Sequence, residues 1–303
     1  MKITINTSSF AQGDVQPLER LRAKGIVPVM NPHKKTMTAK QVIEFCADAD
    51  GMIAGTEPLT TEVLAQLPLL KVISRCGTGL DHIDLKAAQA RGIKIFNTPT
   101  AVIQPVAELA VGLMLSLLRQ TNAMDRKLHH GMWDKKMGHL LNGKTVGIVG
   151  FGRIGQKIAE LLLPFGVEIL YTDLREIKTS LKSMRVNLNE LLKRSDIVSL
   201  HLSMEEGRSV MNAPQFSLMK KGAWFLNLSR GEAVDENALY TVLKNGHLAG
   251  AALDVFGQEP YQGPFQTLDN VILTPHIGSY AQEARVLMEQ EAVENLLKGL
   301  NII

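Results

Sequence analysis

The chain has 303 residues, 45% hydrophobic and 21% charged, with a formal charge of +3, an ordinary balance for a soluble protein long enough for two cores. That charge is too small to indicate a nucleic-acid partner, and two cysteines, Cys46 and Cys76, are too few for a disulfide framework or a thiolate metal site. The opening residues lack the apolar core of a signal peptide, and the most apolar stretch, residues 109–118, is too short to span a bilayer, so the expectation is a cytosolic (cytoplasmic) protein with no membrane partner.

Residues 2–6 read as a strand, 18–24 as a short helix ended by Gly25, 26–30 as a strand and 39–46 as a helix. Short apolar runs at 51–54, 71–74 and 93–96 alternate with helical stretches at 61–67 and 85–91. Strands alternating with helices imply a parallel sheet covered on both faces. This segment carries no glycine-rich phosphate motif of its own and reads as a flavodoxin-like domain. Asn97-Thr98-Pro99 looks like its boundary. The helix at 101–120 is apolar on nearly all sides and is expected to be buried, between domains or subunits.

The chain is organised around residues 145–173. An apolar run (Val146, Ile148, Val149) leads into Gly150-Phe-Gly152-Arg-Ile-Gly155, and Ile158, Leu161, Leu162 and Phe165 then mark one helical face. Gly166 closes that helix, and a second strand at 167–171 runs up to Asp173. Three glycines alone could be a plain strand–helix turn, but strand, turn, helix, strand and acid in this order form a dinucleotide-binding unit. Gly150 permits the turn, Gly152 lets the backbone approach a pyrophosphate, and Gly155 lets helix and strand pack closely. The pyrophosphate would sit on the helix N-terminus. Asp173 would accept from the adenosine ribose hydroxyls and repel a 2′-phosphate, which favours NAD over NADP. Arg175 is the opposing feature, since a guanidinium there could accommodate that phosphate.

Further strands are expected at 196–200, 223–228, 249–255 and 271–273, with a helix at 236–245. The helix at 284–297, with Leu287, Met288, Val293, Leu296 and Leu297 apolar, must pack on something already built. The incomplete first domain is its natural host. The expected architecture is α/β, two doubly wound parallel-sheet domains, with a Rossmann cofactor domain (98–279) inserted into a flavodoxin-like substrate domain (1–97 and 280–303). The two crossovers would act as hinges over a cleft.

Three polar residues end apolar strands of the cofactor half, where an open α/β sheet places its ligand crevice. These are Arg230, Glu259 and His276. Singly, they could be a loop ion pair, a turn and a satisfied histidine. Together, behind a nicotinamide site, they suit hydride chemistry on an alcohol or ketone. His276 would exchange the hydroxyl proton, Glu259 would orient the ring and stabilise imidazolium, and Arg230 would hold a substrate carboxylate and polarise the reacting carbonyl.

With these motifs assembled, the chain resembles the D-isomer-specific 2-hydroxyacid dehydrogenases over essentially its whole length. The likeness runs through Gly77-Thr-Gly79-x-Asp81-x-Ile-Asp84, Asn97-Thr-Pro99 with Val106-Ala-Glu108, the Gly150 motif, Asn227-x-x-Arg230-Gly231, Ala252-Leu-Asp254-Val-Phe, Glu259-Pro260 and Thr274-Pro-His276-Ile-Gly278. It implies the same roles for Arg230, Glu259 and His276. It implies that Asp254 binds the nicotinamide carboxamide and that the backbone N–H groups of Gly77, Thr78 and Gly79 hold the substrate carboxylate across the cleft. The cofactor-binding set it implies is Gly150, Gly152, Arg153, Ile154, Gly155, Asp173, His201, Ser229, Asp254 and Gly278. A homodimer through the cofactor domain is expected. Two departures stand out: Ser203 where the family usually has Pro, and His82 where Asn is usual.

Within the family the phosphoglycerate dehydrogenases are most similar, through Arg75 before the Gly77 loop and the basic cluster Trp133-Asp134-Lys135-Lys136 before Leu141-Asn-Gly143-Lys-Thr. A solvated loop is the competing reading of that cluster. The similarity implies a phosphorylated 2-hydroxy acid, 3-phosphoglycerate first, with Arg75, Lys135 and Lys136 on the phosphate. The chain ends at Ile303 without the regulatory domains of longer relatives, so serine feedback is not expected. The alternatives are a glyoxylate or hydroxypyruvate reductase and, from another class, a non-catalytic NAD-binding corepressor. An intact Arg230, Glu259 and His276 argue against the last.

Overall fold

The computed structural model describes residues 1–202 and 209–303. The chain forms two compact units, Met1–Val102 with Ser279–Ile303, and Ile103–Gly278.

The first unit opens with β1 (Ile3–Ile5), α1 (Gln16–Arg22), β2 (Val29–Met30), α2 (Ala39–Cys46) and β3 (Gly51–Ala54). It continues through α3 (Thr61–Ala65), β4 (Val72–Arg75), α4 (Leu85–Ala90) and β5 (Lys94–Phe96). The strands pair in parallel in the order β2-β1-β3-β4-β5, the flavodoxin-like order. Thr38, Thr60 and Asp84 start α2, α3 and α4 by accepting backbone N–H groups of the first turn. The apolar faces of these helices close over one side of the sheet in a core that includes Val42, Leu59, Val63, Leu64 and Ile73. The strand expected at 26–30 shrinks to the exposed Val29–Met30, because Pro28 fixes its own φ and offers no N–H to the ladder.

In the second unit, α5 (Ile103–Arg119) and α6 (Thr121–His129) precede β6 (Thr145–Val149), α7 (Arg153–Leu162), β7 (Glu168–Thr172) and β8 (Met184–Arg185). Then come α8 (Leu188–Arg194), β9 (Ile197–Leu200), α9 (Ala213–Leu218), β10 (Trp224–Asn227), α10 (Glu236–Lys244), β11 (Gly250–Leu253) and β12 (Val271–Leu273). The seven-stranded sheet has the order β12-β11-β10-β9-β6-β7-β8, all parallel. Chain direction across the sheet reverses between β6 and β9, so the ligand crevice belongs at the carboxyl ends of these strands. Phe216, Phe225 and Phe265 are fully buried in the core on one face. On the other, α5 packs against α7 and the β10–β12 side of the sheet. It is less uniformly buried than its composition suggests: Gln104, Glu108, Gly112 and Arg119 form an exposed stripe.

The last helix, α11 (Gln282–Gly299), returns to the first unit and lies on β3, β4, β5 and α1. Met288, Val293, Leu296 and Leu297 are buried there, each contributing about 1.5–3 kcal/mol. Leu287, expected on that face, is instead exposed. The Ser74 hydroxyl donates to the Ala292 carbonyl at 2.7 Å in the buried seam. Among the described residues no helix is long and apolar enough to cross a membrane.

Candidate active site

The turn after β6 is built for close approach. Gly150 has φ +92°, and a Cβ there would collide with the His201 carbonyl; a Cβ on Gly155 would collide with the Gly150 carbonyl. Gly152 caps α7 without a side chain, and Arg153 and Ile154 follow in its first turn, so backbone N–H groups face outward where a pyrophosphate would bind. The space beside Gly152 holds only the edge of the Arg175 guanidinium, 3.8 Å from where a Cβ would be. The donor set therefore fits a dinucleotide.

Asp173 does more than wait for a ribose. Its Oδ2 accepts the Phe151 N–H at 2.8 Å and its Oδ1 the Arg175 N–H at 2.9 Å, tying the second strand end to the glycine turn. Arg175 Nε lies 3.6 Å from the same carboxylate, with its side chain largely exposed. The His201 ring accepts or donates at Nε2 to Ser199 Oγ, 2.7 Å away, and burial pushes its pKa down to about 3. The ring is thus neutral, and it is the His201 backbone that meets the turn. Ser203 lies outside the described residues. His82 is exposed, and its carbonyl accepts from Leu59.

The three expected residues follow the carboxyl ends of β10, β11 and β12, and two of them are in contact. His276 Nδ1 donates to Glu259 Oε2 at 2.8 Å, since an ionised carboxylate can only accept, and Nε2 is left for a reactant. Glu259 is fixed in turn by the Phe256 N–H on its other oxygen, at 3.1 Å. Both side chains are partly exposed and so reachable. His276 has φ +54°, a left-handed conformation uncommon outside glycine and typical of functional loops. Arg230 leaves β10 beside the buried Asn227, whose side chain donates to the Arg230 carbonyl at 2.8 Å and accepts from Ser229. A Cβ on Gly231 would collide with Phe256, so glycine is required for the Arg230 loop to lie against the loop that leads to Glu259.

The organiser of the His276 loop is Asp254. Its side chain is 1% exposed and accepts from Thr274 Oγ1 at 2.6 Å, Ile277 N–H at 2.8 Å and Gly278 N–H at 2.8 Å. The structure shows this residue, expected to meet the nicotinamide carboxamide, holding the histidine loop. Asn227 and Thr274 were visible in their motifs, but their orienting roles were not.

In the first unit, the loop after β4 carries Arg75, Gly77, Thr78 and Gly79. Gly77 has φ +146°, and the Arg75 guanidinium lies against it, with Nη1 2.6 Å from where a Cβ would be. Arg75 Nη1 donates to the Cys76 carbonyl. The Gly77 N–H is committed to Thr98 Oγ1 at 2.8 Å and to the Arg75 carbonyl. The N–H groups of Thr78 and Gly79 donate to nothing among the described residues. Lys135 and Lys136 are exposed on the segment after α6. Lys136 borders a cavity of about 170 Å³ with His139, Trp224, Gly250 and Asn270, at the amino ends of the strands. Arg230, Asp254 and His276 follow the carboxyl ends, so Lys136 stands at the opposite end of this sheet from them.

Known proteins resemble this chain in sequence and fold. Residues 111–278 match the D-isomer specific 2-hydroxyacid dehydrogenase, NAD binding domain. The chain is 42% identical to a glyoxylate reductase of Thermofilum pendens, over 86% of this chain and 81% of that one. It is 40% identical to a D-3-phosphoglycerate dehydrogenase of Methanocaldococcus jannaschii over 87% of this chain, and spans about half of that longer protein, 52%. The crystal structure of the TT0316 protein from Thermus thermophilus superposes with a TM-score of 0.91 at 34% identity, covering 99% of this chain and 97% of that one. The chain belongs to the D-isomer specific 2-hydroxyacid dehydrogenases, NAD-dependent enzymes that act on small 2-hydroxy acids.

Proposed function

We propose that the protein oxidises D-3-phosphoglycerate to 3-phosphohydroxypyruvate with NAD, the entry reaction of serine biosynthesis, and that it works as a homodimer through the cofactor unit. The observation that supports the phosphate is the Arg75 guanidinium lying against Gly77, in a loop whose Thr78 and Gly79 N–H groups donate to nothing among the described residues. A planar guanidinium suits bidentate phosphate or carboxylate contacts. The likeness to the Methanocaldococcus enzyme supports the same reading. Lys135 and Lys136 would then serve the pocket of the partner copy.

The hydrogen bonds of His276 and Glu259 support the following roles. Arg230 holds the substrate carboxylate and polarises the C2 oxygen. His276 Nε2 takes the C2 hydroxyl proton in oxidation and returns it in reduction, while Glu259 holds Nδ1 and stabilises the resulting imidazolium. Bound NAD supplies the acceptor for the C2 hydride. Gly150, Gly152, Arg153, Ile154 and Gly155 would hold its pyrophosphate, His201, Ser229 and Gly278 would complete the site, Asp173 would take the adenosine ribose and Asp254 the carboxamide.

A second reading, glyoxylate or hydroxypyruvate reduction, is favoured by the Thermofilum relative, which is matched over most of its length. A substrate panel separates the two. With NADH, kcat/KM for 3-phosphohydroxypyruvate should exceed that for hydroxypyruvate and glyoxylate; the reverse order removes the phosphate pocket and installs the reductase.

A further inference from the structure

The turn that presents Glu259 is held by a carboxylate to which the roles above assign nothing. Glu259 follows β11 on a turn through Phe256 and Gly257. Its Oε1 accepts the Phe256 N–H at 3.1 Å, and its Oε2 accepts from His276. On one side the turn lies against Gly231, where a Cβ would collide with the Phe256 carbonyl and the Gly257 nitrogen. At its far end the Phe256 ring stacks on Tyr261, centroids 4.2 Å apart, and the Tyr261 hydroxyl accepts the Phe265 N–H at 3.1 Å. Gly257 is exposed and, lacking a side chain, has the most backbone freedom in the turn. Its N–H donates to Glu236 Oε1 at 2.8 Å.

Glu236 is itself fixed. It is half-buried at the first position of α10, and Asp235 caps that helix by accepting the Asn237 and Ala238 N–H groups. Just upstream, the Asp235 N–H donates to the Met211 carbonyl and the Val234 N–H to the Gly231 carbonyl. Residues 230–236 are therefore one anchored segment that carries Arg230, the glycine against which the turn rests, and the acceptor for the Gly257 N–H. An acid in the first turn of a helix is favoured by the dipole alone. That benefit would be the same for aspartate, and it needs no contact with Gly257.

We propose that Glu236 is a positioning residue for the reaction: through the Gly257 N–H it holds the 256–259 turn against the Arg230 segment, so that Glu259 meets the His276 ring. The proposal rests on the reading of His276 and Glu259 as the acid–base pair. A turn released at Gly257 lets Glu259 drift from Nδ1, and the ring loses the orientation that presents Nε2. The proton-transfer step, and not cofactor binding, then depends on the reach of side chain 236.

Two substitutions separate reach from charge. Glu236→Gln keeps the length and an amide oxygen that can accept the Gly257 N–H. Glu236→Asp keeps the acid at the helix start but draws its oxygens back by one methylene. The measurement is single-turnover NADH oxidation with saturating 3-phosphohydroxypyruvate, or hydroxypyruvate should the substrate panel rank it first. Glu236→Asp should slow hydride transfer on the order of tenfold or more, with the Kd for NADH unchanged, and Glu236→Gln should run at the wild-type rate. In a Glu259→Ala background, adding Glu236→Asp should cost nothing further, because the group it positions is gone. A Glu236→Asp variant as fast as the wild type, a Glu236→Gln variant as slow as Glu236→Asp, or a full additional loss in the Glu259→Ala background overturns the proposal. Glu259→Ala alone separates the two levels. If it transfers hydride at the wild-type rate, the acid–base reading itself fails; if it is slow while Glu236→Asp is not, only the role of Glu236 fails.

Discussion

The loops at 274–278 and 77–79 both follow a parallel strand, yet they are built in opposite ways. In the first, Thr274, Ile277 and Gly278 all donate to the buried Asp254, and the His276 ring is fixed by Glu259. In the second, one backbone N–H is anchored by Thr98, the next two donate to nothing among the described residues, and the Arg75 guanidinium lies against Gly77. A group that carries a proton must keep one position through the reaction, so its loop is over-determined. A loop that recognises an anion must keep donors open until the anion arrives. On this account the first loop governs turnover and the second governs substrate affinity.

The largest effect should come from His276→Ala, which removes the proton carrier without touching the loop's anchors. We expect kcat to fall roughly 10²–10⁴-fold, with NAD affinity nearly unchanged; pre-steady-state hydride transfer as fast as in the wild type would break the comparison at its first term. Asp254→Ala attacks the anchor instead. It strands buried donors and should cost on the order of 2–4 kcal/mol of stability, read by chemical denaturation, and should lower kcat alongside. Unaltered stability would mean the 274–278 loop holds itself.

Asp173→Ala probes the glycine turn, which combines both designs. It should erode the preference for NAD over NADP by about tenfold, because Arg175 then faces a 2′-phosphate without a carboxylate beside it; a wild type that uses both cofactors equally would contradict the premise. The smallest effect at neutral pH concerns His201. A histidine with its folded pKa depressed to about 3 from 6.5 leaves stability intact above 6.5 and loses it as pH falls toward 3, because the unfolded chain takes the proton first. His201→Asn should therefore flatten the acid limb of the stability curve, and an unchanged limb would place the loss elsewhere.

Much of this was legible in the sequence because it depends on residue type at short spacing. The need for Gly155 is set by the Gly150 carbonyl a few residues earlier, and Arg230, Glu259 and His276 follow apolar strands. α8 was missed although Asn187, which caps it by accepting the Glu190 N–H, offered a start signal. α6 had none, since no residue in it is buried. Long-range pairings were invisible: nothing near Gly77 announces Thr98, and nothing near Asp254 announces the three donors on residues 274–278. Nor does a basic pattern say which cavity it lines. Lys135 and Lys136 matched a basic pattern, but Lys136 lines a cavity at the amino ends of the strands.

The most direct test of the division between the two loops is Arg75→Ala, assayed with NAD on 3-phosphoglycerate and on glycerate. A lost charge-assisted contact of about 1.5–3 kcal/mol corresponds to a KM for phosphoglycerate raised roughly 10- to 150-fold. The kcat and the NAD KM should hold, and glycerate turnover should scarcely change. A fall in kcat with KM unmoved, or equal losses on the two substrates, would contradict the account.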